Sequence, residues 1–247
     1  KAVLPGCAAM ETVRHNHSFM MDPRAGLGKT TDNPVYEDQM EGVALWAAAM
    51  EKRGAKVFLF NAVLDAEHRF LKMFAGHYAK AHQEACKFVD AVYGVRIKQQ
   101  ADVVIASCGG YPKDINVYQM QKTMDNAALA VRDGGVVILL AECEEGSGSK
   151  VLEETFRRLK TPEAIEAELA DHFVIGANKA YAVSRLMKRA KYILVTGLDR
   201  RLARDMLFAA AVDSVEDALR EAEKYVGTDY RVLLMPTGSL TVPLLSE

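Results

Sequence analysis

Ala101-Asp-Val-Val-Ile-Ala-Ser107 and Val136-Val-Ile-Leu-Leu-Ala-Glu-Cys143 are the two apolar runs that decide the fold. Both are short, and the first is followed, after Cys108, by Gly109-Gly110, which is typical of buried strands ending in turns. The residues between them predict a helix that is capped by Asp114 and ended by Gly134-Gly135. A strand, a helix and a second strand joined by short links indicate a parallel sheet.

The same alternation continues towards the end of the chain. The patterns predict further helices from Lys150, from Thr161-Pro162, over 177–190 and over 214–226, and strands over 192–196 and 231–235, the second being the last strand. We therefore predict an α/β protein whose C-terminal domain is a parallel, doubly wound sheet. A boundary near residue 96 divides the chain into domains 1–95 and 96–247.

Local patterns predict a helix, a strand and a second helix in the first domain. A helix begins at Asn33-Pro34 and ends at Gly54. The almost unbroken apolar run over 56–64 suits a strand buried on both faces of a sheet. A long helix is predicted to follow over 66–93, with Gly76 as the position of a candidate break.

Composition excludes several classes of function. The chain has 247 residues, of which 50% are hydrophobic and 26% charged, with a formal net charge of −2. Without a basic stripe, we expect neither nucleic acid nor an anionic membrane as a partner, and no apolar run reaches the roughly 20 residues of a membrane span. The four cysteines form no Cys-x-x-Cys pair, so we expect free thiols and a cytoplasmic location. The first residue is not methionine, which suggests a partial protein.

The first segment joins two chemically versatile side chains within 17 residues. Lys1 can form a covalent bond through a deprotonated amine, and a histidine such as His17 can ligate a borderline metal through a neutral ring nitrogen. The residues alone leave a second interpretation open, in which a surface lysine precedes an amphipathic helix carrying His15 and His17. They also leave open which of the two histidines would be the ligand.

A second candidate site follows the 101–107 strand. Ligands bind at the carboxyl ends of strands in open parallel sheets, and there the next helix presents Tyr118, Gln119 and Lys122. A cation beside an amide and a phenol, at a helix N-terminus, suits a carboxylate; a solvated helix face remains the alternative. Gly109-Gly110 lacks the third glycine of a dinucleotide-binding loop, so that interpretation is not favoured.

Two blocks of residues carry a resemblance to a known family across nearly the whole chain. They are Lys1-Ala-Val-Leu-Pro-Gly6, Glu11-Thr12, Asn16-His17, Asp22-Pro-Arg-Ala-Gly26 and Asn33-Pro34 in the first block, and Gly109-Gly-Tyr-Pro112, Asp114, Asn116, Tyr118-Gln119 and Lys122 in the second. In these residues, their order and their approximate spacing, the sequence resembles the nickel-pincer lactate racemases and their relatives, which act on 2-hydroxy acids.

The resemblance implies a racemase or epimerase that inverts the hydroxyl-bearing carbon of a lactate-like 2-hydroxy acid. It also implies that residues 1–95 are the remaining, C-terminal part of an N-terminal α/β cofactor-binding domain. The implied cofactor is a nickel-pincer pyridinium mononucleotide that accepts a hydride and is joined to the protein through a thioamide at Lys1. His17 matches the nickel ligand. Gln119 and Lys122 match substrate-holding positions, with Tyr118 beside them.

Two departures from the family pattern limit what the resemblance implies. The family's general-base histidines, an arginine and the phosphate-binding loop lie before the position of Lys1, so we expect this chain alone to be inactive and to lack the cofactor. Some relatives carry a substrate-packing tryptophan where this sequence has Tyr181. The alternatives are therefore a family member acting on another 2-hydroxy acid, such as a sugar acid or a dicarboxylate, and a non-catalytic binding domain.

Overall fold

The computed structural model describes residues 3–26, 28–171, 173–174 and 176–246. The chain forms two compact units, residues 1–93 and 94–247, which are described one at a time. Along the part of the chain that is described, no helix has both the length and the apolar composition needed to cross a membrane.

The first unit begins with two helices joined by a long loop. Helix α1 spans Met10–Ser18 and runs into a 3₁₀ turn at Phe19–Met21, and α2 spans Pro34–Glu51. Pro34 occupies the first turn of α2, as the sequence predicts, because proline has no amide hydrogen to lose there. A β-hairpin and helix α3 (Tyr78–Tyr93) complete the unit.

The hairpin corrects the prediction of one long helix over 66–93. Strand β1 (Leu59–Leu64) pairs antiparallel with β2 (Phe70–Gly76), so the helix begins only at Tyr78. The Asp65 side chain closes the turn between the strands, since its Oδ1 accepts from the amides of Glu67 and Arg69 at 2.9 Å each. This local side-chain bond competes with the predicted helix.

The first unit also differs from the expected two-sided burial of the 56–64 strand. Val63 and Phe74 pack on Ala81 and Ala85 of α3 and form the local core. Phe60 lies on the opposite face of the hairpin and is 64% exposed. Within this unit, only one face of the hairpin is therefore covered by a helix.

The second unit contains a five-stranded parallel sheet in the order β7-β6-β5-β4-β8. Its strands are β4 (Ala101–Ser107), β5 (Val131–Leu140), β6 (Lys191–Val195), β7 (Ala210–Val212) and β8 (Val232–Met235). A separate parallel pair joins β3 (Gly94–Ile97) to β9 (Val242–Leu245). The strand over 231–235 is therefore not the last; the 242–245 run is short, contains a proline and pairs outside the main sheet.

Helices cover both faces of this sheet, which confirms the predicted doubly wound α/β fold. They are α4 (Val117–Ala130), α5 (Lys150–Leu159), α6 (Pro162–Asp171), α7 (Ala177–Arg189), α8 (Arg200–Asp205) and α9 (Val215–Val226). One face packs on Ala218 and Ala222 of α9 through Val103, Ile138 and Ile193. Helices α4 and α7 both contact β5 and pack against each other, and the alternation of side chains along each strand assigns them to the opposite face.

Strand β5 begins five residues earlier than predicted. Gly134-Gly135 was expected to stop a helix, but it lies inside the strand, where the pairing with β4 shifts register. A Cβ at Gly135 would lie 2.7 Å from the carbonyl oxygen of Asp102, so the backbones approach closely there. The glycine pair thus marks strand contact and not a helix end.

Candidate functional site

The first candidate group is the start of α4, just beyond the carboxyl end of β4. Asn116, and not Asp114, caps the helix, since its Oδ1 accepts from the amide of Gln119 at 3.0 Å. One turn further, Lys122 Nζ donates to Gln119 Oε1 at 2.9 Å. The structure therefore brings the predicted pair together, and we call Tyr118, Gln119 and Lys122 the clamp.

The backbone at this helix N-terminus is already occupied. The amide of Val117 donates to the carbonyl of Gly146 at 3.1 Å, and that of Tyr118 donates to the carbonyl of Ser147 at 3.0 Å. With the Gln119 amide bonded to the cap, none of the three remains to bind an anion. The helix N-terminus therefore offers none of these three amides to a carboxylate, which leaves the side chains of the clamp as the candidate donors.

A charged network behind the clamp was not predicted. Lys179, on α7, places its ammonium 4.6 Å from the centre of the Tyr118 ring and donates to Gln121 Oε1 at 2.6 Å. Gln121 in turn donates to Asp125 Oδ2 at 3.2 Å. Residues 118, 121 and 125 lie on one helix face, which the sequence could show, but the contact with α7 could not be read from it.

Burial dominates the ionisation of this network. It raises the pKa of Asp125 to about 6, although Lys179, Arg185 and the Gln121 hydrogen bond all favour the carboxylate. A half-buried acid that titrates near neutral pH thus lies one turn behind the clamp. Asp125 and Tyr118 are linked through Lys179 and Gln121, so protonation of the acid changes the field around the phenol.

The second candidate group lies at the end of α1. His17 is half-buried, and its Nδ1 lies 2.9 Å from the carbonyl oxygen of Val13. A carbonyl oxygen can only accept, so Nδ1 carries a hydrogen, and in the neutral ring Nε2 is then the nitrogen with the lone pair. A backbone contact of this kind fixes the tautomer and the orientation of a ligating histidine. His15 is exposed instead, and its ring packs in a T-shaped arrangement with Phe19, with the ring centres 5.0 Å apart.

Asn16 fastens this helix to α2. It is fully buried, and its Nδ2 donates to the Val35 carbonyl at 2.9 Å and to Asp38 Oδ2 at 2.8 Å. Its Oδ1 accepts from Gln39 Nε2 at 3.1 Å. Three side-chain hydrogen bonds from one buried amide fix the residue next to His17, so the α1–α2 packing positions the imidazole.

Other residues of the first block build the loop between α1 and α2. Asp22 binds Arg24 through both carboxylate oxygens, and this hydrogen bonding lowers the pKa of Asp22. Asn33 donates to the carbonyls of Gly26 and Lys29 at 2.9 and 3.0 Å, closing the loop before α2. These side chains serve the backbone, so the block combines structural residues with the candidate ligand.

Several sequence-based expectations have different outcomes. Lys1 lies outside the described residues. His17 and the clamp belong to different compact units. Tyr181 is buried, and the guanidinium of Arg185 lies 6.0 Å from the centre of its ring. Among the described residues no group of three or more His, Cys, Asp or Glu side chains could hold a metal, and no disulfide is formed.

Comparison with known proteins places the chain in a family. A family model described as the lactate racemase C-terminal domain matches residues 96–242. The curated lactate racemase of Thermoanaerobacterium thermosaccharolyticum is 34% identical over 245 residues, which are 96% of this chain and 55% of that protein. The lactate racemase of Lactiplantibacillus plantarum is 34% identical over 152 residues, 61% of this chain and 34% of that protein.

A solved structure agrees with these matches. The lactate racemase apoprotein from T. thermosaccharolyticum superposes with a TM-score of 0.87 at 31% identity, covering 98% of this chain and 57% of that one. The chain therefore belongs to the lactate racemase family, as its motifs predicted. It spans 55% of the length of the curated T. thermosaccharolyticum lactate racemase and 57% of the solved chain.

Proposed function

We propose that this chain is part of a racemase or epimerase that inverts the hydroxyl-bearing carbon of a lactate-like 2-hydroxy acid. The observation that carries the proposal is the match to a lactate racemase over 96% of the chain, which includes both the His17 segment and the clamp. We further propose that residues 1–95 are the end of a cofactor domain, that 96–247 form the substrate-side domain, and that the protein is cytoplasmic.

The described residues fit a nickel-pincer nucleotide at one point. His17 holds its Nδ1 hydrogen on the Val13 carbonyl, so the neutral Nε2 is the donor that a borderline metal such as nickel prefers. Lys1 is the residue proposed to carry the covalent bond to the nucleotide. When bound, the group would supply an electron-poor acceptor for the hydride that leaves the substrate carbon.

The clamp would orient the substrate. Lys122 is an exposed cation held by Gln119, so it can pair with a carboxylate while the amide of Gln119 donates a second hydrogen bond. With the carboxylate fixed, the hydroxyl-bearing carbon, which becomes planar when the hydride leaves, could take the hydride back on either face. Tyr118, oriented by Lys179, borders this position.

The test uses the full-length protein, produced together with the enzymes that make the cofactor. We expect mass spectrometry to find a large adduct on the peptide containing Lys1, and metal analysis to find nickel. His17→Ala should lose nickel and racemase activity, whereas the matched variant His15→Ala should keep both because His15 is exposed. Nickel retained in His17→Ala and lost in His15→Ala would contradict the assigned ligand.

Two alternatives differ in measurable ways. A member acting on another 2-hydroxy acid is favoured by buried Tyr181 standing where some relatives have tryptophan, and a panel of chiral lactate, sugar-acid and dicarboxylate substrates separates it from a lactate enzyme. A non-catalytic binding domain predicts no nickel and no adduct in the full-length protein. The 247-residue chain alone is expected to be inactive, and turnover of lactate by it would contradict that expectation.

A further inference from the structure

The strand order makes the neighbouring strands β4 and β8 the place where the winding of the sheet reverses. From β4 the chain continues through β5 and β6 to β7 on one side, and then returns to place β8 on the other side of β4. This reversal makes the carboxyl ends of β4 and β8 the switch point of the sheet, where open α/β sheets bind ligands. The loops at this point are Ser107–Gly110 and the residues that follow Met235.

The two loops are tied together beside α4. The amide of Gly238 donates to the Ser107 carbonyl at 2.9 Å, and Asn126 Nδ2 donates to the Gly238 carbonyl at 2.8 Å. These bonds bring Ser239 over the Gly109 backbone. Since Asn126 is buried and lies 112 residues away in sequence from Gly238, the arrangement is fixed by the tertiary structure.

Gly109 leaves a small space between a cation and a hydroxyl. A Cβ at this position would lie 3.6 Å from Ser239 Oγ and 3.9 Å from Lys113 Nζ. Gly109 and the next residue, Gly110, have φ of 91° and 74°, which glycine adopts without strain. Lys113 folds back over this turn, and its amide donates to the Gly110 carbonyl at 2.8 Å.

Both polar groups lack a protein partner within the described part of the chain. The Oγ of Ser239 is buried without a hydrogen bond. Lys113 as a residue is half-buried, and its ammonium has no carboxylate within ion-pair distance among the described residues; neighbouring Asp114 accepts from the Glu142 amide. An unpaired buried hydroxyl carries a desolvation cost, which a bound acceptor would recover.

We propose that Lys113, Ser239 and the Gly109-Gly110 turn form an oxyanion-binding site that is separate from the clamp. The Gly109 amide donates to Ser107 Oγ at 3.1 Å, so the binding groups are the point charge of Lys113 and the hydroxyl of Ser239, which suit a small carboxylate or phosphate group. The proposal does not depend on nickel or on racemase activity. The site would bind either a second anionic group of the ligand held at the carboxyl edge of the sheet or a separate small anion.

The proposal is tested by binding of defined anions to the ¹⁵N-labelled protein. Inorganic phosphate and, separately, acetate are titrated at constant ionic strength while the Gly109 and Gly110 amide signals are followed. Saturable shifts with phosphate alone support a phosphate-bearing ligand, and saturable shifts with acetate support a carboxylate. Saturation with neither anion would overturn the site.

Variants separate this site from the clamp. Lys113→Met should weaken binding at least tenfold and Ser239→Ala about threefold, whereas Lys122→Met should leave these shifts unchanged. Ser239→Ala removes a hydroxyl without a partner, so it should bind less tightly without unfolding more easily, and it serves if Lys113→Met folds poorly. Wild-type affinity in Ser239→Ala and Lys113→Met would overturn the proposal; an equal loss in Lys122→Met would move the anion to the clamp and leave the proposed function standing.

Discussion

The substitution Gly148→Ala tests how the clamp helix is held at its start. Gly148 has φ of 72°, and a Cβ there would lie 2.4 Å from Cγ of Asn116, the residue that caps α4. The left-handed conformation costs about 1–2 kcal/mol for alanine. Displacing the cap costs about 1 kcal/mol, and reduced freedom of the unfolded chain returns about 0.4–1 kcal/mol. We therefore expect a net loss of roughly 2 kcal/mol.

Gly110→Ala is the matched control. Gly110 has a similar φ of 74°, but a Cβ there would meet nothing within 4 Å, so only the backbone cost applies. Urea unfolding of both variants measures the difference from the transition midpoint at constant slope. Gly148→Ala should be less stable than the control by about the value of one cap.

A double-mutant cycle identifies the cause. Asn116→Ala removes the side chain that a Cβ at Gly148 would strike, so Gly148→Ala should cost less in that background than in the native protein. The amide of Gln119 loses its cap in Gly148→Ala and in Asn116→Ala, so its signal should shift in each single variant. Equal losses for Gly148→Ala and Gly110→Ala, or strict additivity with Asn116→Ala, would refute the steric reasoning.

Two further predictions concern buried polar groups. The pKa of Asp125 is raised to about 6, so the folded state holds this proton more tightly than the unfolded state does. The contribution of Asp125 to stability therefore falls as the pH rises from about 4 to 6, by at most about 3 kcal/mol at pH 7. Urea unfolding at several pH values should show that Asp125→Asn removes this fall. Asn16→Ala leaves Asp38 and Gln39 without their buried partner, so it should lower the free energy of unfolding by about 1–3 kcal/mol. In the full-length protein it should also reduce nickel retention through His17. An unchanged melting temperature would contradict this role of Asn16.

Local sequence determined the elements whose patterns need no distant partner. The apolar run over 101–107 forms a central strand, Pro34 starts a helix, and the doubly wound sheet follows from their alternation. The contact between Gln119 and Lys122 also follows from local sequence, because residues three apart on a helix share a face. In the structure Lys122 donates to Gln119.

Elements that depend on competing contacts were predicted less well. The 70–76 segment has the apolar spacing of a helix, but the Asp65 turn and pairing with 59–64 make it a strand. Gly134-Gly135 has the composition of a helix stop, but close approach to the neighbouring strand places it within a sheet. In both cases a partner on another segment outweighs the local pattern.

The sequence by itself determined the fold class, the family and the residue types available for chemistry. Only the tertiary structure decided that the first amides of α4 are already bonded, that Lys179 lies over Tyr118, and that Ser239 and Lys113 meet at Gly109. These contacts join segments tens of residues apart or more, and no local periodicity encodes such a distance. Secondary-structure propensity depends on neighbouring residues in the sequence, whereas the hydrogen-bond and charge partners named here come from distant segments that only the fold brings together.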